Sequence, residues 1–285
     1  MKHDEALKIA QQGLTHLTDT LKQGHSETLR RYLDVLARFH DYSFHNTLLI
    51  VVQRPDATHV AGFQTWKKLG RHVRKSEHGI AVLAPMIGSR KESEEVATGQ
   101  DELAPKVLYG FKVVYVFDVS QTEGEPLPEF ARVTGNPGEW LSRLEQAVRE
   151  HGIELDYRPL PKGIKGASQH GRIVVRHDLD CSERFAVLAH ELAHELVHQR
   201  TGRTDQVSQT VRETEAEAVA YTVCRALGVD STTRSSDYIQ LYRGDAATLA
   251  ESLEVIQQAA AELIQCLKAS LNRTHASLPN VATAA

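Results

Sequence analysis

Three histidines recur at four-residue intervals in FAVLAHELAHELVHQR, Phe185 to Arg200, and this spacing constrains the chain more than any other stretch. Residues four apart on an α-helix stand one above the other on the same face. His190 and His194 of HELAH can therefore present two imidazoles to one tetrahedral Zn2+ ion. Phe185, Leu188, Leu192 and Leu196 give such a helix its buried face, and Ser182 is a suitable N-cap. Glu191 follows the first histidine. A carboxylate there can take the proton of a zinc-bound water whose pKa the ion has lowered, the use to which an HExxH helix is put.

Three protein ligands and one open position make a catalytic zinc site, so a third ligand is expected on a later helix. VRETEAEAVAYTVCRALG, residues 211–228, offers Glu213, Glu215 and Glu217. With Ala216, Ala220, Val223 and Leu227 facing inward, Glu213 projects about 60° from the centre of that face and the other two about 100° to either side. Glu213 is thus the expected ligand. Glu217, one turn on, is placed to accept a hydrogen bond from the free ring nitrogen of a ligating histidine, and Glu215 is expected to be a surface acid. His198 lies two turns, about 12 Å of rise, beyond His190, too far to share one ion, and is read as a packed or rim residue. Tyr221, Tyr238 and Tyr242 are nominees for stabilising a transition state.

The rest of the chain divides around a proline- and glycine-bearing stretch, QTEGEPLPEFARVTGNPG, residues 121–138. Before it, residues 3–22 and 26–40 carry apolar positions at helical spacing, HNTLLIVVQ continues as a third helix, and GIAVLAP and FKVVYVFDV read as strands. The polar, charged segment GSRKESEEVATGQDELAPK between these strands reads as a mobile loop within a hairpin. After the linker come a helix (EWLSRLEQAVREHG), two strands (IELDYRPL and GRIVVRHD) and helices to the end. The expectation is an α+β protein. Residues 1–125 form a mixed helix and strand domain, 126–138 a linker, 139–275 a mainly helical metal-binding domain and 276–285 a frayed tail.

At 285 residues with a formal charge of −4, the chain conceals opposite fields. Arg54 to Lys91 holds eight basic residues against two acidic ones, whereas Glu183 to Glu262 holds seven arginines and no lysine against thirteen acids. A basic first part suits a nucleic-acid partner. Single strands are held by cations along the phosphates and aromatic faces under the bases. Tyr42 and Trp66 lie among Lys67, Lys68, Arg71, Arg74 and Lys75, while Asn46 and Gln53 can hydrogen-bond phosphates or bases. Phe44 and Phe63 read as core. The three separated cysteines form no CxxC pair and suit a reducing, cytoplasmic compartment, and no segment approaches 18 uncharged apolar residues, which argues against a membrane partner.

HELAH followed by ETEA is similar to the zincin-like metallopeptidases of the ImmA/IrrE type. The blocks DYSFHNTLLIVVQRPDATHVAGFQTWKKLGRHVRKSEHGIAVLAP and FKVVYVFDVSQTEGEPLP resemble the single-stranded-DNA-binding domain of ArdC-like antirestriction proteins. Ser76 stands where that family commonly carries glycine, in V-x-K-G-E. The resemblance implies a DNA-associated zinc peptidase of a mobile element, acting in antirestriction or related DNA transactions on an unidentified protein substrate. Two alternatives stay open: a DNA-coating protein with structural zinc, and a DNA-targeted protease that cleaves a repressor.

Overall fold

Apolar residues at helical spacing build α1 (His3–Lys22), α2 (Ser26–Arg38) and α3 (Phe44–Gln53) in the computed structural model, which describes residues 2–23, 26–89, 106–126, 137–229 and 246–276. Short elements follow: β1 (Val60–Gly62), α4 (Phe63–Lys68) and β2 (Arg71–Val73). Two longer strands, β3 (Ile80–Ser89) and β4 (Lys106–Asp118), form the expected hairpin and extend beyond the apolar runs that signalled them. The charged segment between them, read as a mobile loop, lies at residues 90–105 outside the described residues. A 3-10 turn at Val119–Gln121 and β5 (Thr122–Gly124) complete this part.

Contacts divide the chain into two units, of residues 1–13 with 45–125 and of residues 14–44 with 126–285. Residues 14–44, which belong to the expected first domain of residues 1–125, cluster by contact with the later part of the chain. The reason lies in α2. Its stripe of Leu29, Leu33 and Leu36 is fully buried, the helix packs on α7 (Gln209–Leu227), and its Asp34 accepts hydrogen bonds from Tyr221 and Arg225 of that helix.

In the first unit the antiparallel sheet has the order β1-β4-β3, and β2 pairs with β5. Helix α3 covers the outer edge of β3. The side-chain amide of Asn46 exchanges two hydrogen bonds with the backbone of Leu83, at 2.8 and 2.7 Å. Gln53, two helical turns later, does the same with Ala81, at 2.9 Å each. Ser76 adopts φ 68°, the left-handed region that glycine occupies without strain, so this loop keeps a glycine-type conformation with serine in place.

In the second unit α5 (Pro137–Glu150) is followed by a sheet of order β6-β8-β7, from β6 (Glu154–Arg158), β7 (Gly166–Gln169) and β8 (Arg172–Arg176). β6 runs parallel and β7 antiparallel to the central β8. Then come α6 (Cys181–Ala193), a π-turn (His194–Gln199), a 3-10 turn (Arg203–Asp205), α7 and α8 (Ala246–Ala276). Asp180, not Ser182, caps α6, accepting from the Glu183 N–H at 2.8 Å. Phe185, Leu188, Leu192, Val219, Val223 and Leu253 are among the buried residues of α6, α7 and α8, and α7 packs against both of the others. The chain is α+β throughout, and no described helix is long and apolar enough to cross a membrane.

Candidate metal centre

Helix α6 carries His190 and Glu191 into its last turn and hands His194 to the π-turn, while α7 brings Glu213 across from them. His190 Nε2 and His194 Nε2 face each other at 3.1 Å, and Glu213 Oε2 lies 3.5 Å from each. Ligand atoms bound at about 2.0–2.1 Å around tetrahedral zinc stand roughly 3.3 Å apart, so two imidazole nitrogens and a carboxylate oxygen at these spacings fit a divalent ion. Among the described residues this is the group able to hold one.

Charge is shared unevenly across the site. Burial acts to lower the His190 pKa, but hydrogen bonds to Glu213 and Glu217 outweigh it and raise the imidazole to about 9. The same two histidines hold Glu213 well below the usual carboxylate range. Glu191, only 8% exposed, is pushed up chiefly by burial, with Glu213 and Glu195 adding and the two histidines opposing. Glu217 Oε2 stands 3.3 Å from His190 Nδ1, behind the ring.

Edge strand β7 walls the cleft. A Cβ added at Gly166 would stand 2.6 Å from Glu191 Oε1 and 2.7 Å from Val187 Cγ1, so only a glycine lets the carboxylate lie against the strand. The strand is anchored from the π-turn: Ser168 Oγ and the Gly171 N–H donate to Glu195, and the His170 N–H donates to Gln199. Hollows of about 410 and 470 Å3 both open on His190 and Glu213, the first lined also by Gly166–His170 and the second by Gly163–Gly166.

One reading of an acidic residue changes here, while that of His198 as a packed residue stands. Glu215 is not a surface acid: it is wholly buried, because α7 packs against α6, α8 and α2 and its Ala218, Val219 and Thr222 are buried as well as the expected face. Its carboxylate takes hydrogen bonds from Arg203 (3.1 and 2.8 Å) and Ser252 (2.6 Å) and stands 3.0 Å from His198 Nε2. Burial would raise its pKa, but these partners together hold it below the usual value. His198, 1% exposed, is packed, and burial pushes its pKa down. Tyr221 gives its hydroxyl to Asp34 at 2.8 Å and is absent from the lining of both hollows; Tyr238 and Tyr242 lie outside the described residues.

Comparison with known proteins bears on both units. Residues 4–117 match the N-terminal domain of the anti-restriction factor ArdC, and residues 148–264 match the IrrE N-terminal-like domain of the peptidase M78 family. The chain joins an ArdC-type domain to an IrrE-type one. An uncharacterized protein of Bacillus anthracis is 26% identical over 264 residues, or 78% of this chain, which spans 44% of that relative's length. The Mn(II)-bound crystal structure of the antirestriction protein ArdC from plasmid R388 shares the fold, with a TM-score of 0.54 at 17% identity over 91% of this chain and 98% of that one.

The ArdC-type unit disposes of the nucleic-acid candidates in different ways. Lys67, Lys68 and Lys75 are exposed. Trp66 is 2% exposed and donates its Nε1–H to the Phe117 carbonyl at 2.8 Å, and Asn46 and Gln53 spend their amides on β3, so these three hold the fold. Arg71 is bound to Thr122 and Gly124 along β5, and Arg74 to Glu77 and the Ser120 carbonyl. Tyr42 falls in the other unit, half-buried against Phe39. Phe44 is buried as expected, whereas Phe63 is half exposed. The exposed aromatics that the sequence reading passed over are Tyr109, Phe111 and Tyr115 of β4. Their signal was the alternation in LYGFKVVYVFD, which gives β4 two apolar faces.

Proposed function

We propose that the IrrE-type unit is a divalent-metal, by first choice zinc, peptidase and that the ArdC-type unit holds single-stranded DNA, so that one chain serves antirestriction or a related DNA transaction. The observation that carries this is the convergence of His190 Nε2, His194 Nε2 and Glu213 Oε2 beside the buried Glu191 carboxylate. A divalent ion supplies Lewis acidity when bound, acidifying water and polarising a carbonyl. Glu191 removes a proton from the attacking water and can return it to the leaving amine. β7 offers an edge along which an extended peptide can lie across the cleft. Glu217 keeps the His190 ring oriented.

Elemental analysis of the purified full chain tests the metal. One equivalent of zinc or a similar divalent ion is expected, with Glu213→Ala losing most of it and Glu217→Ala weakening affinity about 10–100-fold. Full occupancy in Glu213→Ala would overturn the ligand set.

For the DNA, the exposed lysines supply phosphate contacts and the exposed Phe63, Phe111 and Tyr115 supply stacking faces. Fluorescence anisotropy with oligo-dT should show tighter binding than to duplex, weakening as salt rises. Lys67→Glu with Lys68→Glu should weaken all sequences alike, and Tyr115→Ala should cost about 1–3 kcal/mol. Equal affinity for duplex would sink this half of the proposal.

A further inference from the structure

The two ligand histidines of the metal centre are supported differently from behind. His190 Nδ1 meets Glu217 directly, but among the described residues His194 Nδ1 meets no carboxylate; it lies 3.1 Å from His198 Nδ1. His198 Nε2 in turn lies 3.0 Å from Glu215 Oε2. We infer that Glu215 and His198 form a positioning relay that fixes the tautomer of His194 and so aims its Nε2 lone pair at the metal, an inference that rests on the reading of the site as a metal centre.

For a neutral His198 imidazole, proton bookkeeping along the chain of atoms leaves one arrangement. Glu215 is held as an anion by Arg203 and Ser252, so the ring nitrogen facing it must carry the hydrogen. His198 is therefore an Nε2–H tautomer, which leaves its Nδ1 as an acceptor. Two ring nitrogens 3.1 Å apart share a single hydrogen, so His194 must supply it from Nδ1. His194 Nε2 is then the bare nitrogen, and this is the atom beside His190 Nε2 and Glu213 Oε2. A second imidazole thus extends the usual carboxylate-to-histidine support by one ring. The three alternate glutamates of α7 take three places: Glu213 at the ion, Glu217 behind one histidine, Glu215 behind the other through His198.

Two substitutions of His198 separate this relay from simple packing. His198→Asn can place an amide oxygen near the position of Nδ1 and keep an acceptor for His194. His198→Gln can place its amide at the position of Nε2, keeping the contact with Glu215 while offering His194 nothing. Zn2+ affinity of the full chain, measured by competition with a chromophoric chelator, should fall about 10–100-fold in the Gln variant and stay close to the unsubstituted value in the Asn variant. The absorption bands of the Co2+-loaded protein should move in the Gln variant alone. Equal affinities of the two variants, at any level, would overturn the relay; an unsubstituted chain that takes up no metal would remove the metal reading along with it. Should a variant fail to fold, long-range 1H–15N NMR of the histidine rings in the unsubstituted, Zn2+-loaded chain decides the matter, because an Nδ1–H tautomer at His198 is incompatible with the relay.

Discussion

Glu191→Gln should lower the peptidase rate by about 10²–10⁴-fold while leaving metal content and single-stranded-DNA affinity unchanged. Glutamine matches glutamate in shape, so it fits against Gly166 as the carboxylate does; only basicity is removed. The position contributes no atom to the three-donor cluster of His190, His194 and Glu213, so the ion has no reason to leave. The expected cellular counterpart is a protein that still coats DNA but no longer protects it in a restricting host. A variant with full protection would hand the function to the ArdC-type unit and reduce the metal to a structural part. The pH profile carries the same information. Burial raises the Glu191 pKa, so the acid limb of activity should lie above the ordinary glutamate range, with the rate lost as pH falls through that raised pKa and the carboxylate takes up its proton.

Arg203→Met should destabilise the IrrE-type unit by about 3–5 kcal/mol, since it leaves the Glu215 carboxylate buried without its cation. For a unit of this size that is a fall in melting temperature on the order of 10 °C, readable by circular dichroism. Glu251, the other partner of Arg203, has a side chain 59% exposed, and Glu251→Ala should cost less than about 1 kcal/mol. A large loss at Glu251 with none at Arg203 would mean that the guanidinium serves the surface and not the interior.

Much of this site is legible from spacing because a helix converts sequence intervals into geometry. His190 and His194 meet for that reason, and Glu213 stands 3.5 Å from both because it projects from α7 beside the buried Ala216 and Ala220 that pack inward. Glu215 escaped the same treatment. A helical wheel assumes one buried side, whereas α7 is enclosed by three helices, and the partner that makes a buried glutamate tolerable, Arg203, sits on a short turn with no periodic signal. β7 escaped for a related reason: GASQ has neither β-branched nor aromatic residues, and it is a strand only because β8 pairs with it and the π-turn ties it down. Trp66 illustrates a limit of composition. Its place beside two lysines suggests a stacking face, but in the short α4 successive residues point in different directions, so the ring turns into the core while Lys67 and Lys68 stay outside.

The amides of Asn46 and Gln53 have one more effect. A strand at the rim of a sheet offers its peptide groups as a template on which another chain can add, the starting point of domain swapping and aggregation. Proteins commonly blunt such rims with lysine or proline. In β3 each side-chain amide imitates the peptide group of a neighbouring strand, donating and accepting at Leu83 and at Ala81, so that stretch of rim is occupied before a foreign strand can reach it. Because an amide carries no charge, this protection works at high salt as at low, where a guard of lysines would be screened.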